Sequence, residues 1–226
     1  NPYFGPIDFA NATVTYEGTT MDLASADAAN VMRRVAWTYN RTTNSYNLLA
    51  PGLGLGSTEV GFMQGLWVLV EKNCTLTLPR PGGAASAAPA AAKGPGDGWV
   101  ARLCVRGAGG TDTDNFFGVS PRLAALRPLV SPPAPPGGVG LHFLDESQPA
   151  SRLAGRFVGV EAGSLQWRLV VEAAAGGPLE LWCPDVSDIG SSWSVWVEDP
   201  STGQVTDIGR GGRYSFTMAA NEGARV

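Results

Sequence analysis

Histidine is nearly missing from this 226-residue chain: His142 stands alone, beside three cysteines and a charged fraction of only 16%. One histidine excludes a two-histidine metal centre and leaves any Ser-His-Asp or Cys-His mechanism a single base. Lysine is as scarce, with Lys72 and Lys93 the only two among 16 basic residues, a bias that fits a GC-rich bacterial genome. The basic residues are scattered among 20 acidic ones, for a net charge of −4, so no basic stripe exists to neutralise phosphates and nucleic acid is not an expected partner. No stretch approaches the roughly 18–20 consecutive apolar residues of a spanning helix, so membrane insertion is not expected. Asn1 to Asn11 lack the basic-then-apolar order of a signal peptide, and the chain reads as soluble, already processed if it was exported.

What the sequence does hold is glycine and proline, 30 and 17 residues, a load that helices do not carry. Hydrophobic residues at 44% suffice to fill cores, and the length suits two modest β-domains better than one. Two low-complexity stretches punctuate the chain: Gly82 to Gly98 (GGAASAAPAAAKGPGDG) and Ser131 to Gly140 (SPPAPPGGVG). The first reads as an Ala/Pro/Gly linker at 81–98 between an N-terminal β-domain at 1–80 and a C-terminal β-sandwich at 99–226. The second reads as a surface connection, with a boundary at 131–140 the alternative.

Period-two alternation predicts the strands. In the first domain, Val35, Trp37 and Tyr39 are expected inward with Ala36, Thr38 and Asn40 outward; Ala12, Val14 and Tyr16 form a second inner face; and Leu66, Val68 and Val70 pair with Cys74, Leu76 and Leu78. Ser25 to Arg34 reads as a helix capped by Ser25, and Arg41–Asn44 as a hairpin turn. In the second domain the inward sets are Trp99, Ala101, Leu103 and Val105; Val139, Leu141 and Phe143; Leu165, Trp167, Leu169 and Val171; Leu179, Leu181 and Cys183; Trp193, Val195 and Val197; and Tyr214, Phe216 and Met218. Ser120-Pro121-Arg122 opens one short helix. The expected fold is all-β: two tandem antiparallel β-sandwiches, immunoglobulin- or jelly-roll-like, with one or two short helices.

The order Trp37, Tyr39, Tyr46, then Gly65-Leu66-Trp67-Val68 and Asn73-Cys74-Thr75-Leu76, resembles a repeated module of large secreted bacterial proteins. The later run, Asp114-Asn115 with Gly118-Val119, a proline-rich connection, Leu179 to Trp182, Val197-Glu198-Asp199-Pro200-Ser201-Thr202-Gly203 and Tyr214-Ser215-Phe216, is similar to β-sandwich modules beside peptidases or near the C-termini of cell-surface proteins. The resemblance implies tandem β-sandwiches and surface or secreted life in a bacterium, and brings no catalytic residue. Such modules continue past Ala224-Arg225 as a closing strand, so a missing final strand is expected here.

Candidate sites follow from residue type. Asn11, Asn40 and Asn73 head Asn-X-Ser/Thr sequons, open to glycans or simply chance matches. Cys74, Cys104 and Cys183 are an odd set without a zinc spacing, and read either as free thiols packing like small hydrophobes or as one bridge, Cys74–Cys104, with a spare. Asp112, Asp114 and Asn115 with Gly118 place oxygens as a calcium loop would, or as an acidic turn bonded to its own backbone. Trp182 and Trp196 fall on the outward phase of their strands, suiting a sugar-stacking platform or a subunit interface, or a covering by another part of the chain. His142 is expected on the surface, and Glu146, Asp185 and Asp188 are the carboxylates a cryptic glycosidase would use. Three functions result. The first is a non-enzymatic extracellular subunit that self-associates into a pilus-like surface fibre by strand addition. The second is a carbohydrate-binding or spacer module of a secreted hydrolase, and the third a hydrolase.

Overall fold

The structure is a computed structural model describing residues 1, 3–81, 98–159, 163–220 and 222–225. Apart from its two end positions, the linker expected at 81–98 lies outside the described residues. The chain is all-β with two compact units, residues 1–39 with 47–93, and residues 40–46 with 94–226. The tip of the expected Arg41–Asn44 turn therefore groups with the second unit, where the Thr111 amide donates to the Thr43 carbonyl at 2.9 Å.

The first unit runs β1 (Ile7–Asp8), a 3-10 turn (Phe9–Asn11), β2 (Thr13–Tyr16), β3 (Thr19–Asp22), α1 (Leu23–Ala28), β4 (Met32–Asn40), β5 (Ser45–Leu49), β6 (Glu59–Val60), β7 (Leu66–Val70) and β8 (Thr75–Thr77). Two three-stranded sheets, β3-β2-β8 and β5-β4-β7, supply most of it. Phe9, Val14, Leu23, Met32 and Leu49 fill the core, with Cys74, Leu76 and Leu78 packed against it. The helix is shorter than the sequence suggests. Its cap is Asp22, whose carboxylate accepts from the Ser25 amide at 2.7 Å, and Asn30, in the left-handed region at φ 53°, turns the chain into β4. Of the rest of the expected helix, Met32 to Arg34 open β4, and Asp27 pairs with both Arg33 and Arg34 at 3.3 Å. In β4 the single-faced alternation fails: Val35, Ala36, Trp37 and Thr38 are all buried, and Tyr39 is 42% exposed. A strand covered on both faces carries no period-two signal.

The second unit runs β9 (Trp99–Gly107), β10 (Gly110–Val119), α2 (Pro121–Ala124, capped by Ser120), β11 (Leu129–Val130), β12 (Val139–Asp145), β13 (Gln148–Val158), β14 (Leu169–Ala173), β15 (Gly177–Trp182), β16 (Trp196–Asp199), β17 (Gln204–Asp207), β18 (Arg213–Met218) and β19 (Glu222–Arg225). Its main sheet, ordered β18-β15-β9-β10-β13-β12-β14-β19, curls into a half-barrel, with β11 on β13 and the β16–β17 hairpin forming a separate ribbon. The alternation holds well here: Trp99, Ala101, Leu103, Val105, Leu141, Phe143, Val171, Leu181, Val197 and Tyr214 all enter one core. One expectation is corrected: the sheet is not wholly antiparallel, since β10 and β13 run parallel from Phe116↔Gly155 to Val119↔Val158. At one end of the sheet β19 pairs with β14 through Val170↔Arg225 to Ala173↔Glu222.

The proline-rich connection lies along the outer side of β12 and β13. The Ser131 amide donates to the Arg152 carbonyl at 2.8 Å, and Gly140 leaves room for Ala134, whose Cβ would sit 2.9 Å from any Cβ added there. Its fixed backbone serves as a strap that costs little entropy to order.

Candidate functional site

Three places carry chemistry. The first is a bulge in β10. Asp112 faces Val105 and Asn115 faces Leu103, so Thr113 and Asp114 together oppose Cys104. The bulge resets the alternation and sends the three acidic-loop residues to different partners. The Asp112 carboxylate accepts from the Leu141 amide of β12 at 2.8 Å, Asp114 reaches Arg102 at 4.0 Å, and Asn115, 1% exposed, has no hydrogen-bond partner for its Nδ2. Among the described residues no three His, Cys, Asp or Glu side chains gather as a metal site would require. Asp112 instead satisfies the Leu141 backbone amide of β12 across the sheet. Burial pushes its carboxyl up to about 6, against the pull of the Leu141 amide.

Cys74, Cys104 and Cys183 stand as free thiols in the structure, Cys74 in the first unit and the other two in the second. Cys104 lies under the bulge with its Sγ 3.6 Å from the Thr113 carbonyl, and burial pushes its thiol up to about 12. Cys183 is pushed to about 12 by burial and by Cys104 nearby. In both, burial disfavours the thiolate form.

The second place is His142. It occupies the outward phase of β12 as expected, yet is 5% exposed rather than solvated. The strap that packs on Gly140 runs over the same face, and the Arg152–Glu172 ion pair lies beside the ring. Burial, reinforced by Arg152, lowers the imidazole to about 4, so it is neutral at pH 7, with no hydrogen-bond partner for Nδ1. Of the three carboxylates considered for a hydrolase, Glu146 sits in the β12–β13 turn, while Asp185 and Asp188 lie in the loop after β15. Asp185 accepts from the Ser187 amide at 2.8 Å, which holds it below the ordinary range, the opposite of what a general acid needs.

The third place is the outer face of β9, β15 and β18. Trp182 is only half-buried, but guanidiniums already flank it: Arg106 from β9 and Arg213 from β18, each 5.6 Å from the ring centroid. Both arginines also reach Glu180 Oε2, at 2.7 and 2.9 Å. Trp196 lies on the separate β16–β17 ribbon, 61% exposed, with Val205, 60% exposed, diagonal to it on the same face. The two indoles thus lie in different sheets. Of the sequons, Asn11 and Asn73 are exposed, whereas Asn40 is half-buried and its side-chain oxygen accepts from the Thr42 amide at 3.0 Å.

Two features escaped the sequence reading. Asp199, 6% exposed, accepts from Tyr214 Oη at 2.6 Å, Ser201 Oγ at 2.7 Å and Thr202 Oγ1 at 3.0 Å. These bonds, Tyr214's first, hold Asp199 at about 2, while burial and Asp199 raise Tyr214 to about 12. The Asp-Pro-Ser-Thr-Gly turn was the available signal. Tyr214→Phe removes one donor and leaves the others, and is expected to lower stability by about 1–2 kcal/mol in urea denaturation. The other feature is β7. It pairs only with β4, through Ala36↔Val68, Trp37↔Trp67 and Thr38↔Leu66, and no strand covers its far edge among the described residues. Trp67 and Val70 stand 40% and 45% exposed on it.

No protein-family model matches the chain, and neither the curated proteins nor the solved structures hold a detectable relative.

Proposed function

We propose that the chain is a non-enzymatic extracellular building block, two β-sandwich-like modules in tandem, that self-associates into a surface fibre by adding a strand of one copy to the sheet of the next. The observation that supports this is the β7 edge. Leu66-Trp67-Val68-Leu69-Val70 contains no proline, glycine or charge, the devices by which sheet edges are ordinarily kept from pairing. Its outer side offers a row of backbone donors and acceptors flanked by exposed Trp67 and Val70. Asp185, held below the ordinary range by the Ser187 amide, takes support from the hydrolase reading. The joint proposed here is the uncovered edge of β7 in the first unit.

Negative-stain electron microscopy with size-exclusion chromatography tests this. The native chain should form oligomers or filaments, and Trp67→Lys with Val70→Lys should return it to a monomer without loss of circular dichroism. A native chain that stays monomeric at high concentration overturns the proposal. The second reading, a carbohydrate-binding module, rests on exposed Trp196; neutral-polysaccharide binding lost in Trp196→Ala would favour it.

A further inference from the structure

Arg106 and Arg213 approach from the two strands that flank β15 and aim at one carboxylate oxygen, Glu180 Oε2. Their side chains are 57% and 49% exposed, whereas Glu180 is only 19% exposed. Each guanidinium carries several N–H donors in a planar fork. Glu180 therefore cannot absorb both, and the exposed side of the trio bears net positive charge with donors left over. Trp182, half-buried, lies beside both cations, each guanidinium 5.6 Å from its ring centroid. In a protein of net charge −4 this is a local reversal of sign. The next arginine on the same face, Arg102, is already engaged with Asp114 and feels Asp185, so the surplus is confined to the Arg106–Trp182–Arg213 row.

We infer that this row is a binding site for an acidic polysaccharide, one whose sugar rings carry carboxylates. The architecture of the row already clamps a carboxylate: Glu180 occupies the inner side of the two forks, and a uronate carboxylate would take the outer side with charge-assisted hydrogen bonds. The half-buried indole beside the guanidiniums offers apolar contact to the sugar ring that bears the carboxylate. Charge complementarity selects an anionic chain over a neutral one, and the adjoining aromatic selects a sugar over a bare anion.

Affinity electrophoresis of the full chain in gels containing polygalacturonate, with dextran as the neutral comparison, tests the site. Retardation is expected in polygalacturonate alone, weakening as salt rises. Arg106→Gln with Arg213→Gln should weaken binding about tenfold, whereas Arg168→Gln, an exposed arginine elsewhere, should not change it. Glu180→Gln should strengthen binding by freeing both forks, a gain that a misfolded variant cannot mimic. The Trp67→Lys, Val70→Lys variant should bind as the native chain does, which keeps the test separate from strand addition. Equal retardation in dextran, no retardation at all, or a Glu180→Gln variant that binds no better would each overturn the inference.

Discussion

Asp112→Asn is expected to make the second unit acid-labile, lowering its stability by about 3 kcal/mol between pH 6.5 and pH 4, a range over which the native chain should change little. The native flatness comes from two buried groups of opposite sense. Folded Asp112 keeps its proton up to about pH 6, whereas the unfolded carboxyl releases it near 3.8, so acidification through this window protonates the folded form first and stabilises it. Folded His142 stays neutral down to about pH 4, whereas the unfolded ring charges near 6.5, so the same acidification favours the unfolded chain. Asparagine retains the acceptor for the Leu141 amide but cannot titrate, leaving the histidine unopposed. His142→Gln should do the reverse, stabilising the unit on acidification to a similar extent. Urea titrations of native chain and both variants at pH 4.5 and 6.5 check this, and parallel pH profiles in all three would refute it. Asp199 does not interfere, because its contribution is lost mainly as pH falls from its ordinary value toward about 2.

Gly118→Ala should be more damaging still, costing about 4 kcal/mol or more and yielding largely insoluble chain. Gly118 sits in β10 opposite Val100 with φ 151°, a region nearly closed to residues with a Cβ. An added Cβ would lie 2.2 Å from the Trp99 carbonyl oxygen, which is backbone in a central strand pair and cannot move aside. Gly163→Ala, where a Cβ meets nothing within 4 Å, should change stability by no more than about 0.5 kcal/mol and serves as the comparison. Soluble yield and thermal midpoint of the two variants measure the difference.

Trp99 to Val105 and Val139 to Phe143 read correctly because large apolar residues recur at every second position, even though His142, between Leu141 and Phe143, is itself buried. Alternation fails in β4, where both faces are covered, and β10 does not read as a strand at all, since Asp112, Asp114 and Asn115 have the pattern of a cation loop or an acidic turn. A bulge depends on the partner strand, so no pattern within β10 announces it. The burial of His142 and the clamping of Trp182 have the same origin. The imidazole lies beside Arg152 and Glu172 from the neighbouring strands, and the indole beside arginines that only cross-strand register brings to it. The residues to inspect were visible; their neighbours were not. The shortened α1 was partly legible, since Asp22 three residues before Ser25 is as good a cap and Asn30 is a natural left-handed stop.

The parallel β10–β13 pair also sets a timetable. β9 and β10 are consecutive and can zip from their Gly107–Gly110 turn, as can β12 and β13 from theirs. Joining these two hairpins side by side in parallel requires the chain between Val119 and β12, with α2 and the proline strap, to be laid down first, so the central seam of the half-barrel closes only after a large loop has been ordered. Until then β10 and β13 each present a bare strand edge, and a chain whose proposed work is to capture strands from its neighbours is most open to capturing the wrong one during that interval.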